Sequence, residues 1–212
     1  MIFHQIAAGP MQNFIYIIGD KKTNEAAVID AGWDADEIIE IANNEKLKIN
    51  KIILTHSHYD HIQRVDELTA KTQADIYFHE LESDSIKKHI KNDSARIIKL
   101  KDNGEIKTGN IKIKIIHTPG HTPGAICLLF ENKLITGDTL FVGAIGRTDL
   151  PGGDAIKLFE SLQKLKKLDD KTEIYPGHDY GETKFSTIGN EKKQNPYFMC
   201  RTKEEFLRLV GY

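Results

Sequence analysis

Short apolar runs recur along the chain and are separated by polar or glycine-containing turns. In the first half they predict strands at residues 1–8, 13–19, 25–30, 51–55 and 76–79. Apolar residues at helical spacing predict helices at residues 35–47, 60–72 and 80–90, with Asp34 as a candidate N-cap of the first. Strands and helices therefore alternate, which favours a layered α/β domain.

The second half of the chain shows the same alternation. Strands are predicted at residues 112–116, 125–131, 133–136 and 174–175, and C-terminal helices near residues 187–194 and 202–210. A further helix is predicted at residues 155–168, with Asp154 as its N-cap and an inward face of Ile156, Phe159, Leu162 and Leu165. A chain of 212 residues with this pattern is most simply one domain, spanning residues 1–212.

Composition and charge narrow the functional classes. The net charge of −2 gives no reason to expect a nucleic acid or an anionic membrane as a partner. The N-terminus has no basic region followed by a long apolar run, so we expect neither a secretory signal nor a transmembrane helix. Cys127 and Cys200 are far apart and form no Cys-x-x-Cys motif. These features favour a cytoplasmic location.

The strongest chemical signal is a cluster of histidine and aspartate directly after the predicted strand at residues 51–55. The segment Thr-His-Ser-His-Tyr-Asp-His at residues 55–61 contains four ligand-type side chains, which are His56, His58, Asp60 and His61. Imidazole nitrogen and carboxylate oxygen together suit zinc, iron or manganese. A solvated polar loop is the simpler alternative, but three further segments of the chain point to the same chemistry.

Those three segments carry His121, Asp138 and His178, each after a predicted strand and a turn with glycine or proline. Their sequences are Thr-Pro-Gly-His-Thr-Pro-Gly at residues 118–124, Leu-Ile-Thr-Gly-Asp-Thr at 134–139 and Ile-Tyr-Pro-Gly-His-Asp-Tyr at 174–180. Glycine lets the backbone approach a site closely, and loops at strand ends are where catalytic groups usually lie. The four segments together predict one metal centre.

The order of these motifs resembles the metallo-β-lactamase superfamily over nearly the whole chain. The segments at residues 137–154 and 186–196 are most similar to its glyoxalase II-like (hydroxyacylglutathione hydrolase-like) branch. The resemblance implies a four-layer αββα sandwich with the metal site at one edge of the two sheets. It also implies two divalent metal ions, with zinc expected first and iron or manganese as alternatives. The implied ligands are His56, His58 and His121 for one ion, Asp60, His61 and His178 for the other, and Asp138 as the bridge.

The same resemblance implies a hydrolase of small-molecule thioesters such as S-lactoylglutathione, acting through a metal-bridging hydroxide. Asp60 and Asp138 are the residues expected to be catalytic, and Arg147 and Tyr180 are expected to bind the glutathione part of the substrate. For Arg147 the alternative is an ion pair with Asp149 or Asp154, and for Tyr180 it is simple packing. Asp30 is expected either to orient a ligand histidine or to cap a turn.

An iron-dependent glutathione persulfide dioxygenase is the alternative function. That family shares Gly-Arg-Thr-Asp and His-Asp-Tyr with residues 146–149 and 178–180, and it resembles a mononuclear iron site at His56, His121 and Asp138. However, residues 142–146 read Val-Gly-Ala-Ile-Gly, where the dioxygenases typically carry Arg-Gly-Cys-Gly. Glyoxalase II also has a longer helical C-terminal region, so a shorter enzyme with a different substrate is a third alternative. A homo-oligomer stays open, and a non-catalytic role is disfavoured because all seven ligand positions are filled.

Overall fold

The computed structural model describes residues 1–91 and 95–212. Its first sheet contains six strands in chain order: β1 (Ile2–Ala8), β2 (Asn13–Asp20), β3 (Glu25–Ile29), β4 (Lys48–Ile53), β5 (Asp75–His79) and β6 (Ile97–Leu100). The strand pairs from β3 to β6 are parallel, and β1, β2 and β3 pair antiparallel. The parallel part of the sheet thus brings the C-terminal ends of several strands to one edge.

A second sheet contains the other six strands, again in chain order: β7 (Glu105–Thr108), β8 (Ile111–His117), β9 (Ile126–Phe130), β10 (Lys133–Gly137), β11 (Glu173–Pro176) and β12 (Ser186–Thr187). Its strands pair antiparallel except for β10 and β11. The helices are α1 (Ala35–Asn44), α2 (Tyr59–Ile62), α3 (Val65–Thr72), α4 (Ser83–Lys87), α5 (Ala155–Leu165), α6 (Ile188–Gln194), α7 (Pro196–Met199) and α8 (Lys203–Leu209). Among the described residues, none of these helices combines the length and apolarity needed to cross a bilayer.

Strand β2 shows how the sheets stack. All eight of its residues are buried, because both faces of the strand are covered. Ile15 and Ile17 join the apolar cluster that includes residues of α1 and α3, whereas Tyr16 and Ile18 join the cluster between the two sheets. Successive side chains of a strand point to opposite faces, so one apolar strand supplies both cores. A third cluster packs α5 and the C-terminal helices on the outer face of the second sheet. The predicted αββα sandwich is therefore confirmed.

Several predicted elements differ from the structure in detail. The helix expected at residues 60–72 is two helices, α2 and α3, because the Arg64 amide donates to the Ala31 carbonyl and interrupts the helical hydrogen-bond ladder. The helix expected at 80–90 is a 3₁₀ turn followed by α4. Strands β6, β7 and β12 and helix α7 were not predicted. None of them is longer than four residues, which is too short to show a clear apolar periodicity, and β7 and β12 are also largely polar.

The apolar face of α5 also differs from the prediction. Ile156 is 43% exposed, whereas Leu158, Leu162 and Leu165 are fully buried against the second sheet. Residues 158, 162 and 165 follow the i, i+4, i+7 spacing of one helix face, and position 156 lies off that face. Asp154 is the N-cap as predicted, because its side chain accepts from the Lys157 amide.

This difference gives a stability prediction. Leu162→Ala should lower the free energy of unfolding by about 2–5 kcal/mol, since it removes a fully buried side chain and leaves a cavity. Ile156→Ala should change it by no more than about 0.5 kcal/mol, since that side chain is largely in solvent. Urea unfolding of both variants measures the two effects, and equal losses would contradict this arrangement of α5.

Candidate metal centre

Seven histidine and aspartate side chains converge at one edge of the two sheets, on segments that follow four strands. His56, His58, Asp60 and His61 follow β4 of the first sheet. The second sheet contributes His121 after β8, Asp138 after β10 and His178 after β11. Six of them are buried, and His58 is partly exposed. The structure therefore brings together every ligand position expected from the sequence.

The side chains form two adjoining groups. The ligand atoms of His56, His58 and His121 lie within 4.8 Å of one another, and the same holds for Asp60, His61 and His178. In the first group, His58 Nδ1 is 2.9 Å from His121 Nε2. In the second group, Nε2 of His61 is 3.2 Å from Nε2 of His178. Each group thus presents three donor atoms to a common point.

Asp138 lies between the two groups. Its Oδ2 is 3.9 Å from His56 Nε2 and 3.5 Å from His121 Nε2 on one side. On the other side, Oδ2 is 3.3 Å from His178 Nε2 and Oδ1 is 3.4 Å from His61 Nε2. One carboxylate therefore faces both groups, which is the geometry required of a bridging ligand.

Four of the histidines are oriented by a hydrogen bond from the ring nitrogen that faces away from the centre. The Nδ1–H groups of three donate to oxygens that can only accept: His61 to Asp30 Oδ2 (3.0 Å), His121 to the Arg147 carbonyl (2.7 Å) and His178 to the Met11 carbonyl (2.8 Å). His56 Nδ1 lies 3.0 Å from Thr55 Oγ1, whose own proton goes to Asp30. In the neutral ring, each Nε2 is consequently left with a lone pair that faces the centre.

The charges around the centre follow from burial and proximity. Burial alone would raise the pKa of Asp138, but the imidazoles of His61 and His56 outweigh it and hold that pKa well below its usual range. Burial lowers the pKa of His56 well below its ordinary value. Burial would also lower the pKa of His61, but Asp138 and Asp30 raise it to about 9. The centre therefore keeps Asp138 anionic and favours positive charge beside it.

The donor set fits divalent metal ions. Lone pairs that face each other at 2.9 and 3.2 Å repel unless a proton or a cation lies between them. His56 Nε2 and Asp138 Oδ1 are buried without a hydrogen-bond partner among the described residues, which is costly for a polar atom in a protein interior. Imidazole and carboxylate donors suit zinc, iron or manganese. A cation in each group would satisfy both the facing lone pairs and the unpartnered atoms.

Asp30 orients a histidine of the centre, which was one of the two roles expected for it; the other was to cap a turn. Its carboxylate accepts from the Thr55 amide and hydroxyl at 2.7 Å each, and from His61 Nδ1 at 3.0 Å. It is fully enclosed, with only 2% of its surface exposed. Because Thr55 also contacts His56, this one side chain supports a histidine in each group.

Asn13 is a site residue that the sequence reasoning missed. Its Nδ2 donates to Asp60 Oδ2 at 2.7 Å, and its own Oδ1 accepts from Trp33 Nε1 at 2.9 Å. A fixed amide thus holds Asp60 in place. The sequence carried one signal, since Asn13 opens a strand whose following residues are almost all apolar. A buried amide in such a position needs polar partners.

Arg147 and Tyr180 lie near the centre but outside the ligand groups. The Arg147 guanidinium pairs with Asp149 through two hydrogen bonds of 2.9 and 2.7 Å, and both side chains are largely exposed. This ion pair was one of the alternatives expected for Arg147. The Tyr180 ring stacks on the His178 imidazole with centroids 4.6 Å apart, and half of the tyrosine side chain remains in solvent.

The class of protein that this fold and site define is a metal-dependent hydrolase. The sequence profile of the metallo-beta-lactamase superfamily matches residues 8–178, and the chain belongs to this superfamily. It is 34% identical to the hydroxyacylglutathione hydrolase GloC of Haemophilus influenzae, over 90% of this chain and 94% of that protein. Identity is also 34% to a probable polyketide biosynthesis zinc-dependent hydrolase, PksB of Bacillus subtilis, over 93% of this chain and 86% of that protein.

A solved structure shares the fold over almost the whole chain. The crystal structure of ETHE1 from Myxococcus xanthus superposes with a TM-score of 0.88 at 31% identity, covering 99% of this chain and 90% of the other. Two of these similar proteins are named as hydrolases, and the third is named ETHE1. Similarity at this level establishes the fold and the superfamily, and the particular reaction has to be argued from the site.

The support that Asp30 gives to two histidines can be tested by Asp30→Asn. The amide nitrogen cannot accept from His61 or Thr55, so we expect metal affinity to fall by about 10- to 100-fold. Competition against a chromophoric chelator measures the affinity. The matched control is Asp34→Asn, which removes a nearby charge at the N-cap of α1 and should leave affinity close to that of the unmodified protein. Equal affinities for the two variants would contradict the orienting role.

Proposed function

We propose that this protein hydrolyses thioesters of small thiols, with S-lactoylglutathione as the first substrate to test. The observation that carries the proposal is the pair of complete donor groups that share Asp138. The similarity to the hydroxyacylglutathione hydrolase GloC supports it, since that relative is matched over nearly its full length. Two divalent ions, zinc in the first instance, are the cofactor that these groups are proposed to hold.

The proposed reaction adds water across the bond between the carbonyl carbon and the sulfur. The products are a carboxylic acid and a thiol, so atoms balance without any further reactant. When bound, the metal ions supply a water nucleophile at neutral pH and an electrophile for the carbonyl oxygen. The chain positions the donors: Asp30, Thr55 and the carbonyls of Met11 and Arg147 fix the imidazoles. Asn13 fixes Asp60, and Asp138 faces both donor groups. We therefore propose these two aspartates as the catalytic residues.

Substrate binding is proposed to involve Tyr180 and Arg147. Tyr180 presents an exposed ring beside His178, which suits contact with the arm of a thiol substrate next to the second donor group. Arg147 offers a fork of N–H donors that matches a carboxylate. Its present partner Asp149 is equally exposed, and an exposed ion pair contributes little stability. A substrate carboxylate can therefore replace Asp149 at small cost.

An iron-dependent persulfide dioxygenase is the second candidate function. His56, His121 and Asp138 lie together as a mononuclear site would require, and the ETHE1 structure from Myxococcus xanthus has the same fold. That reaction would use molecular oxygen to oxidise the sulfur of a glutathione persulfide. The second group argues against it, because Asp60, His61 and His178 are equally well ordered by outer hydrogen bonds. A single iron would leave that group without a function.

The two candidates are separated by one set of assays on protein loaded with zinc or with iron. We expect zinc-loaded protein to release thiol from S-lactoylglutathione, and we expect dialysis against a chelator to stop the release and zinc to restore it. Oxygen uptake with glutathione persulfide should stay at background in both forms. Absence of thiol release together with oxygen uptake by the iron form would replace the hydrolase with the dioxygenase.

The shared position of Asp138 makes a separate prediction. Asp138→Ala should lower kcat for thiol release by at least about 100-fold, because both donor groups lose the same carboxylate. The bound metal per chain, measured by elemental analysis after gel filtration, should fall in parallel. Asp36→Ala is the control, since Asp36 is exposed and pairs with Lys71 far from the centre. Normal turnover and metal content in Asp138→Ala would exclude a bridging role.

A further inference from the structure

A cleft of about 440 Å³ opens beside the first donor group. Its polar lining includes Ser57, His58, Ser85, Lys88, His89 and Thr122. His58 belongs to the donor group itself, and Thr122 directly follows the donor His121 in the chain. The cleft is therefore continuous with the metal centre and has a volume typical of a small-molecule site.

A second groove lies beside Tyr180 on the other side of the centre. It has a volume of about 730 Å³ and is lined by residues that include Val142, Tyr180 and Phe185. Tyr180 contacts His178 of the second donor group, whereas the smaller cleft contains His58 of the first. A thioester whose carbonyl lies at the centre therefore has a larger space for one arm and a smaller space for the other.

The smaller cleft contains a lysine that has no acidic partner within the part of the chain that the structure describes. Lys88 is exposed at the end of α4, and within residues 1–91 and 95–212 no carboxylate lies within ion-pair distance of its Nζ. His89 lies beside it, with its ring 6.0 Å from the ring of Tyr59. One carboxylate also lines the cleft, that of Glu82, but it is buried and already accepts from the Gly124 amide at 2.6 Å. Glu82 stays charged but is buried in the wall, so the exposed charged group of the cleft among the described residues is the ammonium group of Lys88.

Thr122 is the second observation that points to a ligand. Only 3% of its surface is exposed, and its Oγ1 has no hydrogen-bond partner among the described residues. A buried hydroxyl without a partner costs free energy, and such groups in native proteins usually mark a bound water, ion or ligand. Thr122 belongs to the lining of the same cleft as Lys88, and its hydroxyl is covered from solvent there.

From this arrangement we propose that the cleft binds the acyl arm of the substrate and selects acyl groups that end in a carboxylate. The inference rests on the thioester hydrolase function proposed above. Lys88 pairs with the acyl carboxylate, and the Ser57, Ser85 and Thr122 hydroxyls provide hydrogen bonds. The thiol arm then lies in the larger groove beside Tyr180. Hydrolysis yields the free thiol and a dicarboxylic acid, with no reactant other than water.

The test compares two glutathione thioesters that share the thiol and differ in the acyl end, S-succinylglutathione and S-acetylglutathione. With metal-loaded protein we expect kcat/KM to favour the succinyl compound by roughly fivefold or more, as for a partly exposed charge pair. Lys88→Gln should remove that preference. Lys87→Gln is the matched control, because Lys87 is the neighbouring exposed lysine and does not line the cleft, so it should keep the preference.

A binding measurement separates this inference from the proposed function. Calorimetry on metal-loaded protein compares the binding of glutarate, which has a second carboxylate, with that of acetate. Lys88→Gln should bind glutarate roughly fivefold more weakly than the unmodified protein does, and its affinity for acetate should be unchanged. If neither thioester is hydrolysed, the proposed function fails, and the glutarate result alone then decides for or against the cleft. The inference is overturned if the unmodified protein has equal kcat/KM values for the two thioesters. It is also overturned if Lys88→Gln binds glutarate as tightly as the unmodified protein does.

Discussion

The structure depends on one electrostatic constraint: the donor atoms of five imidazoles and two carboxylates are crowded together at the edge of the sandwich. One of the carboxylates, Asp138, lies within 3.9 Å of four of the imidazoles. Without a cation or protons among them, these lone pairs repel. The surrounding structure accordingly holds four of the imidazoles and Asp60 in place by hydrogen bonds on the side away from the centre. Backbone carbonyls of Met11 and Arg147 hold two histidines, and Asp30 holds one in each group through direct and Thr55-mediated contacts. Donors held this firmly need no rearrangement to receive metal, which lowers the cost of binding.

Holding donors from two sheets in one place requires the sheets to be joined at this edge. The Ile126 amide of the second sheet donates to the Thr55 carbonyl at 2.9 Å, beside the first histidine. The Phe14 amide of the first sheet donates to the Gly177 carbonyl at 2.8 Å, beside the last. Gly177 also lies so close to the centre that a Cβ there would meet Asp138 Oδ1 at 2.1 Å. The backbone itself thus forms the wall of the site, and only glycine fits at that position.

The seven candidate donor positions could be identified from the sequence because they lie in four local motifs, in which a strand is followed by a histidine or aspartate. The four-layer fold was predictable from the alternation of elements and from the resemblance. What holds the donors was harder to predict. The carbonyls of Met11 and Arg147 carry no side-chain signal, and their role depends on which loops meet in space. The predictions of one continuous helix at residues 60–72 and of an inward-facing Ile156 were wrong for the same reason. The break at Arg64 and the exposure of Ile156 both depend on tertiary contacts, which outweigh local periodicity.

The division between a fixed centre and two open grooves bears on how substrates are chosen. The donors are almost all buried and belong to segments that follow strands of both sheets, so substitutions there disturb the donor groups themselves. Two residues that line the grooves, Tyr180 and Lys88, are by contrast largely exposed. Exposed positions of this kind tolerate substitution better than buried ones do. Relatives with the same donor groups can therefore differ in substrate through the residues that line the two grooves. The chemistry of those lining residues, rather than that of the donor groups, has to identify the substrate of this protein.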